Sequence, residues 1–106
     1  MIRKALLALF FTTMNAQENN VVSKLETIDI KSRSRTIIYK GTEHFEAPNW
    51  SLDGKYLIFN KNGNLYKIPL KSPTPQLIDT DFADRCNNDH GISPQGDKLA
   101  LSLIHI

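Results

Sequence analysis

The densest run of chemically versatile side chains in this sequence is Cys86-Asn87-Asn88-Asp89-His90, where a thiol, two amides, a carboxylate and an imidazole follow one another without an apolar break. Carboxylate, amide and imidazole together suit a cation or the hydroxyl network of a sugar. The same residue types also satisfy backbone groups in turns, so a structural role is the competing reading. Catalytic chemistry finds no constellation. No Gly-x-Ser-x-Gly elbow exposes a serine, and the five glycines fall singly in turns and cannot cradle a phosphate. The histidines lack metal-ligand spacing, with Glu43 or Glu46 near His44 and Asp89 beside His90 as loose acidic neighbours. No catalytic residue, metal set or cofactor is therefore expected. Cys86 has no second cysteine to pair with and is expected as a small, half-buried residue at a strand end.

These candidates sit in a chain of 106 residues, 41% hydrophobic and 23% charged, the composition of one ordinary globular domain. The formal charge of +2 comes mostly from Arg3, Lys4 and the stretch from Lys31 to Arg35, too small a bias for a nucleic-acid surface. Arg3 and Lys4, the apolar run Ala5 to Phe11, and a polar stretch ending at Ala16 follow the order of a secretory signal peptide, so residues 1–16 are expected to be one. That run is shorter than the roughly 20 residues of a membrane-spanning helix, and no membrane span is expected.

An internal repeat supplies the elements that position the polar run. Offset by 40 residues, Lys24-Leu25-Glu26-Thr27-Ile28-Asp29-Ile30-Lys31-Ser32 falls on Asn64-Leu65-Tyr66-Lys67-Ile68-Pro69-Leu70-Lys71-Ser72. Offset by 42, the segment from Ser51 to Phe59 falls on the segment from Ser93 to Leu101. Every segment reads as a strand. Tyr56 to Asn60 lies between the turn signals Asp53-Gly54 and Asn62-Gly63 and should pair with Leu65 to Leu70. Leu25 to Ile30 should pair with Thr36 to Tyr39, leaving Lys31 to Arg35 as a solvated hairpin. Short strands at Gln76 to Asp79 and Ala47 to Trp50 complete a unit of four strands, with no helical period beyond the leader. The expected fold is all-β, about two incomplete four-stranded antiparallel units. By the same offset Asn88 falls on Glu46, Asp89 on Ala47 and His90 on Pro48.

The segment Ala47-Pro48-Asn49-Trp50-Ser51-Leu52-Asp53-Gly54-Lys55-Tyr56-Leu57-Ile58-Phe59, followed by Asn64-Leu65-Tyr66, resembles the blade motif of TolB-like β-propellers, a WD-related repeat. Ile92-Ser93-Pro94-Gln95-Gly96 is similar to a weaker copy. Leu52 stands where the family has proline, and Gln95 and Asp97 stand where it has aspartate and lysine; these departures soften a turn and keep its type. The resemblance implies propeller blades over residues 17–100, the N-terminal part of a larger ring. It implies that the polar segments before the motif serines lie on innermost strands, which puts Glu46, Asn49, Asp89 and His90 near one mouth of the central channel as candidate ligand-binding residues. It further implies that Trp50 packs between adjacent blades.

On that resemblance the expected function is a non-enzymatic exported scaffold, periplasmic or secreted, that binds a protein, peptide or glycan. The resemblance to TolB implies partnership with envelope lipoproteins, but TolB carries a separate domain before its propeller, where here only about seven residues are expected between the cleavage site and the first strand. The alternative is the N-terminal part of a propeller-containing hydrolase or lyase, resembling prolyl oligopeptidases or oligogalacturonate lyases. The last six residues, Leu101-Ser102-Leu103-Ile104-His105-Ile106, match the translation of CTG-TCT-CTT-ATA-CAC-ATC, the end sequence recognised by a DNA-library transposase. Residues 101–106 are therefore expected to be adapter read-through.

Overall fold

The computed structural model describes residues 20–104, so the expected signal peptide lies outside the described residues, as does His105. Among the described residues all regular structure is β: β1 (Ser23–Ile28), β2 (Arg35–Gly41), β3 (Phe45–Trp50), β4 (Tyr56–Lys61), β5 (Asn64–Pro69), β6 (Gln76–Leu77), β7 (Cys86–Ile92) and β8 (Leu99–Leu103). They form a two-stranded sheet β1-β2, a four-stranded sheet β3-β4-β5-β6 and a two-stranded sheet β7-β8, and every pairing is antiparallel. The β4-β5 hairpin closes on Asn62 at φ 53° and Gly63 at φ 82°, the two consecutive left-handed residues that a two-residue turn requires. Asp29 makes the β1-β2 connection by accepting the backbone N–H groups of Lys31 and Ser32, at 3.0 and 2.7 Å.

The register reproduces the repeat. Glu26 opposes Ile37 and Thr27 opposes Thr36 in the first sheet, and at the 40-residue offset Tyr66 opposes Leu77 and Lys67 opposes Gln76 in the second. Trp50 opposes Leu57, and at the 42-residue offset Ile92 opposes Leu99. The serine turn occurs twice. Ser51 N–H donates to the Tyr56 carbonyl at 2.9 Å and Gly54 N–H to the Ser51 carbonyl at 3.0 Å. Ser93 and Gly96 repeat the pattern with Lys98, at 2.9 and 2.8 Å. In the first copy the Ser51 hydroxyl donates to Asp53. In the second, where Gln95 replaces that aspartate, the Ser93 hydroxyl turns to Asp97 instead.

Alternation along β4 explains the packing. Leu57 and Phe59 point towards the first sheet and join Leu25, Phe45 and Ile68 in one core cluster. Ile58 points the other way and joins Leu65, Ala83 and Cys86 in a second. The four-stranded sheet is thus buried on both faces, which is why β4 reads as a continuous apolar run. Phe59 is the hub of the first cluster, fully buried, with ring centroids of Phe45 and Tyr66 at 5.5 and 5.8 Å.

Both hairpin pairings expected from the sequence are present, with ends shifted by one or two residues. The division into units differs: eight strands fall as two, four and two, because β1 and β2 carry the register of β5 and β6 and so correspond to the second half of a unit. Cys86 opens β7 as expected, but is fully buried and not half-buried, and burial pushes its thiol pKa up. Among the described residues Trp50 is 55% exposed. It lies on the edge strand beside Ile28 and Pro48, beyond the cover that the first sheet gives Leu57 and Phe59.

Candidate functional site

The candidate residues lie on β3 and β7, the first strands of their sheets, and irregularities in both strands aim them. In β3 the ladder slips between Glu46 and Asn49, leaving Ala47 and Pro48 opposite Phe59. Ala47 has φ 58°, a left-handed conformation that costs a residue with a Cβ about 1 kcal/mol or more, and Pro48 fits because a bulge in an edge strand does not need its missing N–H. Residues three apart on a regular strand point to opposite faces; the extra residue brings both Glu46 and Asn49 towards β7. In β7 the slip runs from Cys86 to His90. Cys86 opposes Leu103 as Phe45 opposes Lys61, one residue short of the 42-residue offset. The expected alignment of Asn88 with Glu46 and Asp89 with Ala47 is therefore corrected by one position, because the β7 bulge holds one residue more than that of β3.

The four predicted residues divide between two places. Asn49 and His90 meet directly: the Asn49 Nδ2 donates to the His90 carbonyl at 2.9 Å and lies 3.0 Å from the His90 Nδ1. Burial holds the imidazole pKa below its ordinary value, opposed by the Ala47 carbonyl and the Asp89 charge. Glu46 belongs to a separate polar group. The Asn88 amide beside its carboxylate holds the Glu46 pKa down, and His44 Nε2 stands 3.3 Å from its Oε2. Asp89 brings its side chain to neither group. Its backbone N–H donates to Asn87 Oδ1 at 2.8 Å, in an Asx turn, and its side chain is exposed.

Asn60 was missed by the sequence reading, and it ties the second group together. Nearly buried at 6% exposure, it donates to the Cys86 carbonyl at 2.9 Å and to Asn88 Oδ1 at 3.3 Å, and accepts the Gly63 N–H at 3.1 Å. The signal was available: Asn60 is the polar residue that closes an apolar run just before Asn62-Gly63. His44, Glu46, Asn60, Arg85 and Asn88 line a cleft of about 420 Å³ between the second and third sheets. Among the described residues no three His, Cys, Asp or Glu side chains stand close enough to hold a metal ion. The arrangement offers amide, carboxylate and imidazole groups to a polar organic ligand.

The described residues thus define an all-β protein of antiparallel sheets packed face to face, built on a repeated unit with polar groups where first strands of neighbouring sheets meet. An uncharacterised protein of Agrobacterium fabrum is 49% identical over 81 residues, covering 76% of this chain and 28% of the relative. A solved structure from Agrobacterium tumefaciens, provisionally described as a TolB, is similar with a TM-score of 0.73 and 48% identity, over 76% of this chain and 29% of that one. The likeness supports a TolB-like relationship across the matched part. The chain spans less than a third of the length of either protein. No family model matches it. No helix among the described residues is long and apolar enough to cross a membrane.

Proposed function

We propose that this chain is a section of an exported TolB-like β-propeller, a periplasmic or secreted scaffold that binds a protein, peptide or glycan and carries out no reaction of its own. In this reading residues 1–16 are the signal peptide and residues 17–100 belong to consecutive blades. The observation that carries it is the register: the first sheet repeats the second half of the four-stranded sheet, and the third repeats its first half. The sheets are then consecutive blades, with β3 and β7 innermost.

Glu46, Asn49, Asp89 and His90 form the ligand-binding wall on those strands. Glu46 and Asp89 present exposed carboxylates, and the Asn49 to His90 pair holds the two strands in place. Exposed carboxylates beside amides favour a ligand rich in hydroxyl or N–H donors, as glycans and extended peptides are. The test is to screen the full-length protein on a glycan array and a peptide library, then repeat the hits with Glu46→Gln and Asp89→Asn. Affinity lost about tenfold, as expected for a charged hydrogen bond removed, supports the wall; hits unchanged by both variants refute it. Residues 101–106 are adapter read-through in this reading, and a genomic codon series other than CTG-TCT-CTT-ATA-CAC-ATC ends that part of it.

A further inference from the structure

We propose that the Asn49 to His90 bridge is a proton-sensitive latch between β3 and β7, held by two hydrogen bonds while the imidazole is neutral and by one when it takes up a proton. The inference concerns how neighbouring sheets are held, and stands whether or not the wall binds a ligand. β3 and β7 belong to different sheets and share no ladder hydrogen bonds, so side chains must tie them.

The donors and acceptors in contact assign the latch a protonation state. A carbonyl oxygen only accepts, so the group 2.9 Å from the His90 carbonyl is the nitrogen end of the Asn49 amide. That nitrogen carries two hydrogens. One goes to the carbonyl, and the other points to the His90 Nδ1 at 3.0 Å. In the latch the Nδ1 supplies a lone pair to that hydrogen, which assigns a neutral ring with its proton on Nε2. The Nε2 is buried and has no hydrogen-bond partner within the described residues, so a charged ring gains little solvation there.

Protonation would put an N–H on Nδ1, directly against the N–H of Asn49. Two donors at that separation repel, and that bond is lost, while the bond to the His90 carbonyl does not titrate and remains. The groups that favour the proton are the Ala47 carbonyl from β3 and the Asp89 carboxylate on β7 itself; burial opposes both and prevails. From β8, Ala100 and Leu99, opposite Gly91 and Ile92, bring no titratable side chain. Lys61 of β4 is engaged by Glu43 at 3.2 Å. The Asn60 tie has no titratable member and persists, as does the apolar cluster around Leu65. Acid therefore loosens β7 from β3 locally without unfolding the sheets.

The test is nuclear magnetic resonance on the full-length protein with labelled histidine and asparagine, His90 being assigned by its disappearance in His90→Gln. The expected result is an Nε2–H tautomer at pH 7.5, titration below the ordinary histidine value of about 6.5, and an Asn49 side-chain amide signal that moves with the same midpoint. Exchange protection of that amide should fall about five- to tenfold through the transition, the loss of one hydrogen bond. In Asn49→Asp the carboxylate prefers the protonated ring, so the His90 pKa should rise above about 6.5. An Nδ1–H tautomer, or an Asn49 signal indifferent to the titration, overturns the latch. So does an Asn49→Asp protein whose His90 pKa does not rise. If that variant fails to fold, the wild-type titration alone decides.

Discussion

Replacing Asn60 by alanine removes three hydrogen bonds at once from a side chain that is 6% exposed. The Gly63 N–H loses its acceptor at 3.1 Å and the Cys86 carbonyl its donor at 2.9 Å, while the 3.3 Å contact to Asn88 is the weakest of the three. A buried group left without its partner costs about 1–3 kcal/mol, so with two such groups the loss should be about 3 kcal/mol. Urea unfolding of the full-length protein measures it. Asn60→Asp provides an internal control, because it keeps an oxygen for Gly63 but sets a carboxylate against the Cys86 carbonyl. It should be at least as destabilised at pH 7, and should recover in part in acid, where a protonated carboxyl can donate to that carbonyl. An Asn60→Ala protein within about 0.5 kcal/mol of the parent, the range of an ordinary surface change, refutes the claim that this amide ties the sheets.

Gly63→Ala should cost clearly more than Gly54→Ala in the same assay. Both glycines have positive φ, which costs an L-residue about 1–2 kcal/mol, but a Cβ on Gly63 would stand 2.6 Å from the Asp84 carbonyl, whereas one on Gly54 meets nothing within 4 Å. Phe59→Ala should destabilise by about 3–5 kcal/mol, since it empties the hub of the first core cluster; a thermal melt tests this. The Ser51 hydroxyl, followed by the Lys55 N–H, holds the Asp53 carboxyl below its ordinary pKa. Its contribution is therefore present above the unfolded value of about 3.9 and lost as pH falls through the lowered folded value. Acid unfolding should show Asp53→Ala less stable than the parent at pH 6, with the gap closed in strong acid.

The strands were legible because this fold announces itself locally. Asn62-Gly63 calls for a tight hairpin, and the apolar pair 57/68 is kept at facing positions by the antiparallel ladder. The serine turn could be read twice because its hydrogen bonds depend on residue types at fixed short spacing. The match of β1 to β5 was legible in the 40-residue offset, but where one sheet ends and the next begins was not, because an offset is the same wherever a unit begins and only the strand pairing divides the strands as two, four and two. The extra residue in the β7 bulge was also hidden, since Asn87, Asn88 and Asp89 carry no mark of which residue is skipped. That slip explains why Asn49 meets His90 while Glu46 lies beside Asn88 and Asp89 reaches neither pair. Asn60 was overlooked because a polar residue at a strand end reads as solvent-facing until a neighbouring sheet covers it.

The central claim, that these sheets are successive blades of a closed ring, is tested most directly by an experimental structure of the full-length protein. The account predicts a toroid in which the two-stranded sheets are each completed to four strands, β3 and β7 line the central channel, and Asn49 bridges to His90. Sheets that stack in an open array, or β3 and β7 lying at the outer rim, would contradict it.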